Sequence, residues 1–189
     1  MKHKQIGATL IEIMIAIIVM AIGLLGLASL QTNAMRFQKS SSQRSEATQA
    51  AADLGDRMRS NWAGIVKISQ PYDPMQAATI KAGNILSYTF QEEYNISSVA
   101  NHTPPNNCKA TTCEQPQIAA NDIQEWLRDL QRRLVGGTGI VVPVAGTTYP
   151  TFIITVMWKE PTFTGLDATC PPVAKAPVGV RCYNLNYTI

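Results

Sequence analysis

An α+β fold is predicted, with a long N-terminal helix packed on an antiparallel sheet beside a short second helix. Three observations predict it. Residues 8–30 form an unbroken apolar run whose one charge is Glu12. Farther on, Ala47, Ala51, Leu54 and Met58 recur in steps of 4, 3 and 4, the spacing of one helix face, and no proline occurs between Met1 and Gln70. Near the C-terminus Phe152, Ile154, Val156 and Trp158 alternate, as one buried face of a strand requires.

The first helix begins in the apolar run, whose 23 residues are long enough to cross a bilayer. A carboxylate at membrane depth costs about 2.5–3.5 kcal/mol on insertion scales and needs a partner. No Lys, Arg or His lies between Ala8 and Leu30 to supply one, so the partner must be a freed chain terminus or another molecule. The run is longer than the h-region of a cleaved secretory signal, and its small residue precedes it. Gly23 and Gly26 interrupt it and suit either close packing of helices or local unwinding. Residues 38–46 are almost wholly polar, a solvated or subunit-facing stretch. The stripe from Ala47 to Met58 then turns towards the sheet, leaving Arg57 and Arg59 outside it.

Residues 86–94 suggest an early strand and residues 102–107 a loop. A second helix is expected over 123–134, capped by the Asp122/Glu125 pattern. Trp126 or Leu127, with Leu130 and Leu134, makes its buried stripe, Arg132 and Arg133 suit its C-terminal dipole, and Gly136 can stop it. Residues 136–139 are glycine-rich but lack the Lys-Ser/Thr ending of a phosphate loop. Strands follow at 140–145, 151–159 and 178–187.

Composition narrows the function classes. Charged residues make up 15% of the chain, while Thr, Asn, Gln and Ser are plentiful, as in an exported domain with a polar surface. The formal net charge is +3 and no long basic run occurs, so no nucleic-acid partner is expected. Cys108, Cys113, Cys170 and Cys182 all lie beyond the apolar run, which favours disulfides in an oxidising compartment. Four cysteines allow three pairings. Cys108–Cys113 and Cys170–Cys182 are favoured because each closes a local polar or proline-rich loop, and the spacings lack the zinc-knuckle pattern. His102 lies in a Pro/Asn loop, Glu92 and Glu93 are adjacent, and no hydrolase, metalloprotease or EF-hand motif occurs. No catalytic residue, metal ligand or cofactor is expected.

The run from Gly7 to Gly23, GATLIEIMIAIIVMAIG, resembles the class III leader and N-terminal helix of type IV pilins and pseudopilins. The resemblance implies cleavage by a prepilin peptidase between Gly7 and Ala8 and N-methylation of Ala8, where the family's usual residue is phenylalanine. It also implies that the Glu12 carboxylate pairs with the N-terminal amine of a neighbouring subunit. Residues 1–7 would be the leader, 8–30 the transmembrane or filament-core half of the helix, 31–62 its periplasmic half, and 63–189 the globular head. Loss of Lys2 and Lys4 would leave a net charge of +1.

Residues 52–61, ADLGDRMRSN, together with Gly23-Leu24-Leu25-Gly26-Leu27 and Leu30-Gln31, narrow the resemblance to the PilV group of minor pilins, the type IV pilus modification proteins. The helix, glycine-rich turn and hairpin ending in Val156-Met157-Trp158-Lys159-Glu160 are also similar to that group. Implied partners are the other minor pilins, the major pilin, a tip adhesin, the inner-membrane assembly proteins and the prepilin peptidase. The implied location is the inner membrane of a Gram-negative bacterium, with a periplasmic head, and then the pilus. Two other functions stay open: a minor pseudopilin of a type II secretion system, and a single-span anchored periplasmic binding domain.

Overall fold

The computed structural model describes residues 9–65, 87–95, 103–145, 147 and 149–189, with only the backbone described for 62–65. Helix α1 runs Leu10–Ile65, α2 Gln115–Arg133, and three strands follow: β1 Thr138–Pro143, β2 Thr151–Lys159 and β3 Val180–Thr188. The chain divides into two compact units, Met1–Ser41 and Ser42–Ile189. In the first unit the described residues are almost entirely helix and all but one of them are exposed.

The second unit is the α+β head. Its sheet has the order β1-β2-β3 and is antiparallel throughout. Ile140 lies opposite Thr155, and Thr155 lies opposite Asn184. Phe152, Ile154, Val156 and Trp158 point to one face and are buried, as their alternation requires. There they meet Ala47, Ala51, Leu54 and Met58 of α1 and Trp126, Leu127 and Leu130 of α2. The four α1 stripe residues are all 0% exposed. The opposite face buries Ile140, Met157, Val180 and Cys182 under Tyr94 and Ala174. Burial on both sides explains why the C-terminal half of β2 is apolar without alternation.

Two glycines let these layers close. A Cβ at position 55 would lie 2.5 Å from the ring of Tyr187, so α1 meets β3 only because that atom is absent. A Cβ at position 139 would run into the Trp126 indole, which packs on β1 there.

Two elements differ from expectation. Residues 87–95 do not form a strand. They touch β1 through a single bridge, in which Phe90 N–H donates to Val141 O (3.0 Å) and Val141 N–H to Phe90 O (2.7 Å). The next bonded pair in this register would join residue 88 to Pro143, which has no N–H to give. On the other side Tyr94 N–H turns to Ala174 O (2.7 Å) and its hydroxyl to Gly136 O (2.9 Å). Leu86 lies outside the described residues.

Helix α2 starts eight residues before the expected Ile123. Glu114 is its N-cap, with the Glu114 N–H donating to Gln117 Oε1 (3.0 Å) and Pro116 in the first turn, where its missing N–H costs nothing. Asp122 and Glu125 therefore sit inside the helix and do not cap it. Its C-terminus is as expected, with Arg132 and Arg133 in the last turn and Gly136 at φ +60° just beyond.

Candidate functional site

The exposed part of α1 is the most unusual surface of the chain. It contains an 18-residue window of mean hydropathy 2.8 with none of it buried. Leu10, Ile11, Met14, Ile18, Met20 and Leu25 are each at least 57% exposed. A fully buried side chain of this size is stabilised by about 1.5–3 kcal/mol relative to one left in water. A helix covered with them favours an apolar surrounding, and by length and composition this one is long and apolar enough to cross a membrane.

Glu12 lies in the first helical turn, where its backbone N–H donates to Thr9 O (3.0 Å). Its side chain is exposed and makes no hydrogen bond or ion pair with any described residue. Gly7 and Ala8 lie outside the described residues. A Cβ at Gly23 or Gly26 would meet nothing within 4 Å, so neither glycine is needed for packing among the described residues.

The head end of α1 is held by charge as well as by apolar contact. The Arg57 guanidinium donates to Asp53 Oδ2 (3.0 Å) and to Glu125 Oε2 (3.2 Å) and lies 3.7 Å from Asp122 Oδ1. Lys109 reaches the other oxygen of Glu125 (3.1 Å). Burial would raise the Glu125 carboxyl, but hydrogen bonds from Lys109 and Arg57 hold it below its ordinary range. Burial dominates at Asp122 and raises its carboxyl, although the Tyr88 hydroxyl (2.6 Å) and Arg57 oppose it. Arg57 is thus a half-buried tie between α1 and α2 and not the solvated charge expected of it. Arg59 does stay outside the core, over the Tyr187 ring (5.2 Å).

Both disulfides are local. Cys108 is bonded to Cys113 with Cα atoms 5.4 Å apart, which carries Lys109 in a small loop beside Glu125. Cys170 is bonded to Cys182, Cα atoms 5.1 Å apart, and ties the 160–179 loop to β3. Asp167 completes that tie. Its carboxylate accepts from Thr169 Oγ1 (2.7 Å), Thr169 N–H (3.0 Å) and Cys182 N–H (3.2 Å), with Arg181 nearby. Burial would raise its carboxyl, but these donors lower it below its ordinary value of 3.8.

A lowered carboxyl contributes stability that is present above its unfolded pKa and lost as pH falls through the folded one. The head of the Asp167→Asn variant is therefore expected to melt lower than the parent above about pH 4. The gap should narrow as pH falls below that value, through the lowered folded pKa. Melting curves of both proteins across that range check it, and a gap independent of pH would contradict it.

Among the described residues no cluster of three or more His, Cys, Asp or Glu side chains could hold a metal ion. His102 lies outside the described residues, and Glu93 pairs with Lys175.

A helix long and apolar enough to cross a membrane carries in its first turn an acid with no partner among the described residues, and its far end is the core helix of an α+β head. Residues 2–28 match the family model described as the prokaryotic N-terminal methylation motif. That match supports a type IV pilin-like protein, a structural class rather than an enzymatic one. It implies processing by a prepilin peptidase and assembly with other pilins, and it fits anchoring in the inner membrane. No curated protein and no solved structure matches the chain.

Proposed function

We propose that the chain is a minor pilin that primes type IV pilus assembly and sits at or near the pilus tip, supporting twitching motility and adhesion. The observation that carries this reading is the match over residues 2–28, set on a helix that is exposed where it is apolar and buried where it is amphipathic. Cleavage between Gly7 and Ala8 would free an amine at Ala8. N-methylation keeps that amine basic, so it can still pair with the Glu12 of a neighbour. The head domain, from about residue 63, would face the periplasm and contact other minor pilins, the major pilin and a tip adhesin. The sequence similarity to the PilV group over residues 23–31 and 52–61 favours the minor pilin role.

Intact mass of the membrane-extracted protein tests the processing. The expected mass lacks residues 1–7, carries one added methyl group and is lower by the hydrogens of two disulfides. A chain still beginning at Met1 in cells with an active prepilin peptidase would instead mark a single-span anchored domain. Gene deletion tests the role. Loss of pili and twitching with normal enzyme secretion is expected, and the reverse pattern would make the chain a pseudopilin.

A further inference from the structure

The two disulfides join segments that are held in different ways. At Cys170–Cys182 the partners are kept together without help from the sulfurs. Cys182 is 5% exposed within β3; its N–H donates to Asp167 Oδ2 (3.2 Å) and its O accepts from Thr169 Oγ1 (3.1 Å). Asn184 Nδ2 donates to Thr169 O (2.6 Å), and Ala174 of the same loop is fully buried. Opening the sulfur bond would leave these ties in place and the two thiols side by side.

Residues 104–113 are held more lightly. None of them is buried. Their turn closes on itself, with Asn107 O accepting from Ala110 N–H and Thr111 N–H, both at 3.0 Å. The pair of Lys109 Nζ with Glu125 Oε1 (3.1 Å) is the one ion pair that ties them to α2 among the described residues. Between this segment and α2 lies a cavity of about 430 Å³, lined by Asn106, Cys108 and Lys109 on one side and Asn121, Glu125 and Arg128 on the other. Asn121 is 7% exposed, and its Oδ1 is buried with no hydrogen-bond partner among the described residues. Well-packed interiors leave few such voids, and a buried acceptor without a donor is costly. This contact gains little from packing, so one covalent bond and one ion pair keep it closed.

We propose that residues 104–113 are a redox-sensitive strap, released from α2 by thiol–disulfide exchange at Cys108–Cys113 while Cys170–Cys182 stays closed. The reductant is a dithiol of the Cys-X-X-Cys class. One of its thiolates attacks one sulfur of the pair, and the other sulfur leaves as a thiolate and takes up a proton. The second reductant thiol resolves the mixed disulfide and frees the remaining cysteine. Two electrons and two protons pass to Cys108 and Cys113, and the reductant ends as a disulfide.

Release carries Lys109 away from Glu125 and lets water reach Asn121, so the buried acceptor gains a donor. Arg57 keeps its own bond to Glu125 (3.2 Å), and α1 stays joined to α2. The strap thereby withdraws from Asn121, Glu125 and Arg128 while the core of the head is unchanged. The proposal rests on contacts within the head and stands apart from the filament role.

The test titrates dithiothreitol into the full chain in detergent, traps free thiols with iodoacetamide and maps them by mass spectrometry. Amide hydrogen exchange is followed alongside. Cys108 and Cys113 are expected to be labelled first, with Cys170 and Cys182 still bonded. Exchange should then rise over residues 106–113 and stay unchanged in β2 and β3. Lys109→Met removes the ion pair but not the disulfide, so Cys108–Cys113 should open at a few-fold lower dithiothreitol, with Cys170–Cys182 unaffected. Four results would each overturn the proposal: opening of Cys170–Cys182 first or together with the other pair, reduction with no rise in exchange over 106–113, a rise that spreads into β2, or a Lys109→Met chain that reduces as the parent does.

Discussion

Glu12→Ala is expected to leave the chain inserted and cleaved yet absent from sheared filaments, and to break its co-purification with other pilins. Removing a charge from membrane depth makes insertion easier, so failed insertion cannot account for the loss. The carboxylate has no partner among the described residues, so loss from filaments with insertion and cleavage intact would point to a contact between chains. Glu12→Gln keeps the size and hydrogen-bonding capacity of the side chain but not its charge, and should behave like alanine if an amine is the partner. Immunoblots of sheared pili and of membranes, with the mature mass measured in each, check it. Normal incorporation of either variant would remove Glu12 from assembly.

Trp126→Ala is expected to bring the largest loss of head stability. The indole is 1% exposed, lies on Gly139 of β1, and donates from Nε1 to Ala50 O of α1 at 2.8 Å. One side chain of α2 thereby joins both the spine and the sheet. Truncating a buried tryptophan costs about 3–5 kcal/mol, against a total stability of about 5–15 kcal/mol for a typical domain. Trp126→Phe keeps most of the packing and loses the hydrogen bond, so about 1–2 kcal/mol is expected. Urea unfolding of the full chain in detergent, followed by near-ultraviolet circular dichroism, distinguishes the two. Equal costs would mean that the hydrogen bond dominates over packing.

Periodic features were legible in the sequence because periodicity is local. The α1 stripe and the β2 alternation repeat over a few residues, and each set is buried as its spacing requires. Features that depend on distant partners were not legible. Asp122 and Glu125 have the spacing of a cap, but their charges answer Arg57, 65 and 68 residues earlier in the chain. Nothing near residue 122 announces that contact. The true start, Glu114-Gln115-Pro116-Gln117, was hidden because proline commonly breaks a helix, though it is tolerated in the first turn. Residues 86–94 have strand composition, but the chain that would pair with them meets a proline at 143. The N-terminal motif was readable from Gly7, Ala8 and Glu12 as a pattern. The contact proposed for it is with another molecule, which one chain does not contain.

The buried stripe of α1 has a mechanical consequence. A pull applied within the head at Ser42 travels along a hydrogen-bonded helical segment that contains no proline and holds Ala47, Ala51, Leu54 and Met58. Contacts spaced along one helix share a load applied along that helix's axis and shear together. A peptide peeled from one end would lose them singly, at much lower force. Small side chains at 47, 50 and 51 bring the backbone close enough for the Trp126 bond to Ala50 to act as a pin across that sliding plane. The head should therefore resist a pull along the axis of this segment of α1 better than a load that peels the segment away.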